Sequence, residues 1–579
     1  MSNTEVASLV RGPTNLPLWH KTIGGLLEEQ AQRHEGRTAL VVPWQSIRCS
    51  FRDLQTRSEV TARALLAAGL QGGDMVAIMA GNRVEYIDFM LGAARVGCPL
   101  IVLNNTYTPS ELISALERTS TKVLLIASSI SRRSMTSHIE GTHQVQAAGR
   151  LRHLKQIVVL PPTKQSSRSL TVMEYHNFLE SGDDVSNKEL QAAEEKVKDT
   201  DVVNVQFTSG TTGLPKAALL THRNILNNGR FVGTRMHLTS TDIICCPPPL
   251  FHCFGLVMGF LNTLSHGASI VFPSDSFDAS LTLNAIAAER CTALLGVPTM
   301  FIAQLEKLAS KPYQITSLRV GLASGAPVPI SLQERLSRDM GISDVLIAYG
   351  MTEVSPVSTM MDVGDPKERK RGGLGTPLPH NTIKIVNEEN SIVPRGTRGE
   401  ICSSGYALMR GYLDNPEATN QAMRRDGEGV LWMYTGDEGY IDEEGYAQIT
   451  GRIKDMIIRG GENIFPAEIE ERLLQHPVVA EVSVVGLPDD RYGEVVSAFI
   501  RLSEGEKKPM IADVQRWVGD TLGRHKVPVH VYWIGQHGVA DDFPKTGSGK
   551  HQKHILRDIG RKLLQKQGDE GKIQERARL

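Results

Sequence analysis

The segment Thr208-Ser-Gly-Thr-Thr-Gly-Leu-Pro-Lys216 follows the strand-like run Val202 to Phe207 and sets two glycines, a proline and several hydroxyl residues ahead of a lysine. A loop of this composition can turn its backbone N–H groups toward an anion, and Lys216 adds a point charge, so the pattern reads as a cradle for phosphate. It is not the loop of P-loop nucleotidases: Gly210 and Gly213 stand too close together, and no Ser or Thr follows Lys216. Cys245 and Cys246 lie near His252, but their spacing matches no zinc ligand set and the apolar residues around them mark core thiols.

Four more segments follow the cradle in order: Tyr349-Gly-Met-Thr-Glu353, Tyr434-Thr-Gly-Asp437, Gly451-Arg452 and Pro544-Lys-Thr-Gly-Ser-Gly-Lys550. Together with TSGTTGLPK they resemble the core motifs of the adenylate-forming superfamily, which holds acyl-CoA synthetases, adenylation domains and beetle luciferases. In their order and spacing they identify the chain, from about Thr22 to Leu564, as a member.

The resemblance implies a two-step reaction. A carboxylate attacks the α-phosphate of ATP and expels pyrophosphate, and a thiol then takes the acyl group. Bringing two anions together makes positioning and cation supply the central problem. By the resemblance Thr208, Ser209, Gly210, Thr211, Thr212, Gly213 and Lys216 hold the β- and γ-phosphates. Glu353, a hard oxygen ligand, helps to hold Mg²⁺, with Thr352 on the α-phosphate. Gly325, Ala326 and Pro327, with Tyr349, form the adenine slot, and Ala348, Gly350 and Met351 are also expected to bind ATP; small residues let the backbone approach the ring, and an aromatic face can stack on it. Asp437 is assigned to the ribose hydroxyls and Arg452 to the ribose and phosphate region. Lys550 is expected to bridge the carboxylate and α-phosphate oxygens. Lys454, two residues after the arginine, is the implied hinge of a C-terminal domain that rotates between the half-reactions. After rotation Gly460 and Gly461 would leave a narrow passage for the pantetheine arm of coenzyme A.

Within the superfamily, amino-acid-activating domains place an Asp where Pro249-Leu-Phe-His-Cys-Phe-Gly255 has His252, so an ammonium substrate would lack its partner. Two readings of His252 stand: a wall of the acyl or pantetheine passage, or a core histidine. The segments 256–264 and 296–300, with Val354 to Val357, are expected to shape an acyl pocket. No positive charge stands out in them, which favours an apolar or hydroxylated acid over a diacid. The 29 residues after Lys550 are too few for a carrier domain, leaving free coenzyme A as the expected acceptor. The first reading is thus an acyl-CoA ligase resembling fungal peroxisomal medium-chain-type ligases of secondary-metabolite or siderophore synthesis. Beside it stand a medium-chain fatty acyl-CoA synthetase of peroxisomal β-oxidation and, from another class, a non-catalytic nucleotide- or acyl-binding relative.

The elements that must position these residues alternate. Runs 75–79, 123–127, 157–160 and 243–246 read as buried strands, and 58–68 and 83–96 as amphipathic helices. This implies α/β architecture with largely parallel sheets, whose ligands gather at the carboxyl ends of strands. The polar stretch 164–199 is expected to be a surface connection with one short helix. Gly-punctuated short strands from about Gly375 suggest a β-rich subdomain, and a helix at 466–475 with strands at 478–485 and 495–500 suggests a separate α+β domain. The expected division is a large N-terminal domain of residues 1–453 and a small mobile domain of residues 454–579.

The 579 residues carry 63 Lys and Arg against 64 Asp and Glu, which argues against a nucleic-acid binder. Seven scattered cysteines suggest a reducing compartment, and neither a secretory signal nor a membrane span is apparent. Ala577-Arg578-Leu579 fits a C-terminal peroxisomal address read by an import receptor, with a cytoplasmic location as the alternative.

Overall fold

The computed structural model describes residues 6–160, 172–208, 215–370, 373–547 and 549–576, with side chains as far as residue 566. Among them, two mixed sheets carry most of the chain. The first has eight strands, and its interior runs Gln156–Leu160, Val123–Ala127, Val76–Met79, Leu100–Val102 and Val202–Thr208, all parallel. The second has nine, with Asp344–Gly350, Val320–Ser324, Ala293–Gly296, Ile243–Cys245, Ser269–Val271 and Thr38–Val42 parallel at its centre. These central strands read as near-continuous Val, Ile, Leu and Ala because helices cover both faces. Parallel strands also put their carboxyl ends along one edge of a sheet, and that edge is where the functional cleft forms.

The helices begin where their caps dictate. Phe51–Ala67 starts seven residues earlier than its apolar periodicity suggests, because Ser50 accepts from the Asp53 backbone while the Asp53 side chain accepts from the Ser50 backbone. A similar reciprocal cap, Ser186 with Glu189, starts Asn187–Glu194. The connection before Asp199 therefore holds two helices, Tyr175–Glu180 and Asn187–Glu194, where one was expected. Buried Tyr175 and Phe178 fasten the first of them, and residues 161–171 lie outside the described chain.

From Gly375 onward an antiparallel sheet of six strands forms around Asn381–Val386, Gly399–Gly405 and Leu431–Ile441, with Ala447–Arg452 on the last of these. A five-stranded sheet follows, in which Val479–Asp489 and Gly493–Leu502 form a long hairpin and His530–Trp533 adds in parallel. The main apolar core ends at Ala447, and another begins at Ile457. Between them lies the single turn Ile453–Asp455. All seven cysteines are buried free thiols. No described helix is long and apolar enough to cross a membrane.

Candidate active site

A cleft of about 620 Å³ opens where strand ends from both large sheets meet. Val102, Thr208, Ser324 and Gly350 line it, and each is the last residue of its strand. Lys216, His252, Thr352, Glu353 and Arg452 line it as well, together with Lys454 from the connecting turn and Thr546, Gly547, Lys550 and Gln552 from the C-terminal hairpin. The structure therefore gathers on one cavity residues drawn from all five sequence motifs.

Sheet register brings the first group together. Thr208 pairs with Lys216, and Ala218 on that same strand pairs with Tyr412. The Lys216 ammonium lies 5.1 Å from the centre of the Tyr412 ring, and the Tyr412 hydroxyl donates to Glu353 Oε1 at 2.8 Å. Glu353 is only 4% exposed, and its backbone carbonyl accepts from Met409 N–H. Tyr412 thus links the cradle lysine to the acidic residue. No motif or periodicity singles it out, because it belongs to a two-residue strand whose partner lies about 200 residues away.

A second group forms around Asp437. Its Oδ2 accepts from the Tyr349 hydroxyl at 2.9 Å, and its Oδ1 is 3.2 Å from Arg452 Nε, opposite which it sits in the strand pairing. Burial pushes the Asp437 carboxyl up, and the charges of Arg452 and Lys550 and the Tyr349 hydrogen bond counter it. Lys550 completes the set. A Cβ built on Gly325, whose φ is +90°, would lie 3.5 Å from Lys550 Cε, so the lysine stem crosses the bare backbone there. Burial and Arg452 push the Lys550 ammonium down, while Asp437 and Glu353 hold it up. At the hairpin tip a Cβ on Gly547 would stand 2.5 Å from Asn104 Oδ1 and 2.9 Å from Phe251 Cζ, so only glycine lets the two parts of the chain close this far.

His252 forms part of the cleft wall. Its Nδ1 accepts from Phe254 N–H at 3.1 Å, and burial, then the nearby Lys550 charge, pushes the ring down to about 3. The imidazole is therefore neutral, with its proton on Nε2. Behind it Phe254–Leu261 forms a π-helix whose Phe254 and Met258 line the apolar part of the cleft with Phe207, Val297 and Val357.

Some expected residues fall elsewhere. Tyr349 is buried, with its hydroxyl on Asp437, and its ring is not part of the lining, so the stacking face expected of it is not presented to the cleft. Ala348 is buried within its strand, and Ala326 and Pro327 are exposed outside the lining, leaving Gly325 and Gly350 as the small residues at that wall. Val354 is fully buried in the turn Thr352–Val354, and Pro356 and Val357 take its place in the lining. Gly460 and Gly461 lie away from the cleft, in the turn between Ile457–Arg459 and Glu462–Ile464. Ser209, Gly210, Thr211, Thr212 and Gly213 lie outside the described residues. Asn104, Thr106 and Tyr107 line the cleft without having carried any signal in the sequence.

A cleft at the strand ends lined by cations from distant segments, Lys550 of the C-terminal hairpin among them, is the arrangement of an adenylate-forming enzyme. The chain belongs to the AMP-binding enzyme family, which it matches over residues 27–413, with the AMP-binding enzyme C-terminal domain over residues 468–550. It is 45% identical over 564 residues to the acyl-CoA ligase sidI of Aspergillus fumigatus, covering 97% of this chain and 95% of that one. It is 34% identical to the mitochondrial medium-chain acyl-CoA ligase ACSF2 of Danio rerio over 97% of this chain and 92% of that one. The fold matches that of the anthranilate CoA ligase AuaEII in complex with anthranoyl-AMP, with a TM-score of 0.80 at 23% identity over 95% and 99% of the two chains. The protein is an ATP-dependent, AMP-forming acyl-CoA ligase.

Proposed function

We propose that this acyl-CoA ligase activates an apolar or hydroxylated monocarboxylic acid for fungal siderophore or secondary-metabolite synthesis, using Lys550 as the cation of the adenylation step. The observation that carries the mechanistic part is the Lys550 stem against Gly325, inside the cleft that Glu353 and Arg452 also line. In the first step a substrate carboxylate oxygen forms a bond to the α-phosphorus as the bond to pyrophosphate breaks. Lys550 lies between the two anions and offsets their repulsion, and Thr352 donates to the α-phosphate. Lys216 and the cradle hold the departing phosphates, while Asp437, fixed by Tyr349 and Arg452, accepts from the ribose hydroxyls. In the second step the thiol of coenzyme A gives up its proton to solvent, its sulfur bonds to the acyl carbon as the acyl C–O bond to phosphate breaks, and AMP leaves. The neutral His252, with Nδ1 taken up by Phe254 N–H, forms part of the wall beside these atoms.

Mg²⁺ fits this donor set. Glu353 supplies one hard, nearly buried oxygen ligand, and among the described residues no group of three or more His, Cys, Asp or Glu could hold a metal without substrate. Mg²⁺ characteristically takes one or two carboxylates and fills its shell with substrate phosphate oxygens and water. When bound, it would neutralise phosphate charge.

The apolar lining of Phe207, Phe254, Met258, Val297 and Val357 supports a monocarboxylic substrate, and the likeness to sidI supports the fungal pathway. The likeness to ACSF2, a medium-chain acyl-CoA ligase, favours the medium-chain substrate of a second reading, a fatty acyl-CoA synthetase of peroxisomal β-oxidation. We place the enzyme in the peroxisome through Ala577, Arg578 and Leu579, which lie outside the described residues. Pyrophosphate release measured across a panel of acids, with and without coenzyme A, separates the readings: preference for a hydroxylated acid favours the first and preference for unsubstituted medium-chain fatty acids the second. Lys550→Ala should lower acyl-adenylate formation on the order of 100- to 1000-fold while sparing thioester formation from supplied acyl-adenylate. Equal loss of both would contradict the role given to Lys550.

A further inference from the structure

The hairpin that carries Lys550 has open space on both sides. Thr546 and Gly547 line the main cleft on one side, and with Lys545 and Gly549 they line a second cavity of about 610 Å³ on the other, against Thr299, Met300 and Ala303. Its own hydrogen bonds are short-range: Thr546 N–H to the Lys550 carbonyl, Lys550 N–H to Thr546 Oγ1, and Gln552 N–H to the Pro544 carbonyl. These close the loop on itself. It meets the large domain closely at Gly547, beside Asn104 and Phe251, and at Gly549, beside Val297 and Thr299, with open space around those contacts.

A further anchor is one carboxylate outside the motifs. Glu481, 4% exposed on the strand Val479–Asp489, takes Lys545 Nζ and His551 Nε2 on the same oxygen, Oε1, each at 2.8 Å. Lys545 and His551 form the bridge pair at the base of the hairpin, so one oxygen grips both arms, and His551 is the neighbour of Lys550. The other oxygen, Oε2, is held at 3.0 Å by both Nε and a terminal nitrogen of Arg501, the cross-strand partner of Glu481. A planar guanidinium in this grip fixes the carboxylate against the sheet. The His551 ring is further stacked on Phe543, with centroids 4.4 Å apart and planes at 16°. Burial raises the Glu481 carboxyl, but hydrogen bonds and charge from His551 and Lys545 outweigh it and hold it down to about 2. The Glu481 carboxylate is therefore held in its ionised form.

We propose that Glu481 is a positioning residue for Lys550: through Lys545 and His551 it holds the hairpin so that the Lys550 ammonium reaches the reacting anions during adenylation. This rests on the reading of Lys550 given above. A displacement of about 1 Å in such a group can cost on the order of 100-fold in rate, so the effect should fall on the step that uses Lys550 and leave the other untouched.

The test compares both half-reactions of the full-length enzyme for Glu481→Gln, Lys545→Gln, His551→Gln and Lys550→Ala, with octanoic acid as the probe for adenylation and octanoyl-adenylate with coenzyme A for thioester formation. Glu481→Gln should lower adenylation on the order of 10- to 100-fold while keeping thioester formation within about threefold of the parent, with smaller losses of the same kind for the two hairpin-side variants. Retained thioester formation also reports that the C-terminal domain is folded. Glu481→Asp, which keeps the charge, should recover part of the adenylation rate. If Lys550→Ala abolishes adenylation but Glu481→Gln leaves it within about twofold, or if Glu481→Gln lowers both half-reactions equally, the positioning role is overturned while the reading of Lys550 survives. If Lys550→Ala adenylates normally, both fall together.

Discussion

His222 illustrates how burial sets the behaviour of single groups here. It begins the helix His222–Arg235, is fully buried, and accepts from Ile23 N–H on Nδ1 at 3.1 Å, while Nε2 finds no partner among the described residues. Burial pushes the ring from its ordinary 6.5 down to about 4, only partly countered by Asp201 and Asp199. Below pH 6.5 the unfolded chain therefore takes a proton that the folded chain refuses. This contribution to stability is complete above about pH 6.5, falls as the pH drops toward 4, and levels off below. The window corresponds to about 3 kcal/mol at 1.36 kcal/mol per pKa unit. Denaturant unfolding followed between pH 4 and 7 should show that slope, and His222→Gln should flatten it by about one proton; an unchanged slope would assign the acid sensitivity to other groups. His252 is neutral for the same reason.

The short turn Ile453–Asp455 joins a strand of the antiparallel sheet to the first strand of the C-terminal sheet, and it lies in the gap between two apolar cores. Lys454 at its centre also lines the cleft, and Asp455 pairs with Arg557 of the long terminal helix at 2.9 Å. A turn carrying so little buried apolar surface is a natural place for a change of φ and ψ. We take it as the hinge, with residues 1–453 and 454–579 as the bodies it joins. The arrangement seen here places the Lys550 hairpin in the cleft and Gly460 and Gly461 outside it, the geometry adenylation needs. Proline fixes φ and removes a donor, so Lys454→Pro should slow thioester formation severalfold more than adenylation. The two half-reactions assayed separately check this, and an even loss would argue against a hinge at this turn.

For the molecule as a whole, near-neutral charge conceals a local imbalance. Lys216, the pair Arg452 and Lys454, and Lys550 come from three separate segments and line one cavity, with Glu353 as the nearly buried carboxylate among them. Excess positive charge in a cleft suits a triphosphate, and the global balance of 63 against 64 gives no hint of it. The proposed peroxisomal address is likewise a property of the complete chain, because a C-terminal tripeptide is read only at a free end. A fluorescent fusion at the N-terminus should appear punctate and coincide with a peroxisomal marker, and removal of Ala577, Arg578 and Leu579 should make it diffuse. An unchanged distribution would favour a cytoplasmic enzyme.

Much of this was written locally. The buried strands 123–127 and 243–245 show as unbroken apolar runs, and Pro466 marks the start of its helix, because burial and backbone preference act over a few neighbouring residues. The motif residues announced their chemistry in the same way, since a glycine-rich loop ending in lysine suits phosphate wherever it is placed. Side-chain direction and strand register could not be read like this. Tyr349 turns its hydroxyl to Asp437 because strands 88 residues apart bring the two together, and Tyr412 meets Glu353 through a two-residue strand. Glu481 grips the Lys550 hairpin from a strand about 70 residues earlier, in a segment that reads in the sequence only as a buried strand. Contacts of this kind depend on where distant backbones cross, so they follow from the assembled core and leave no mark in the residues beside them.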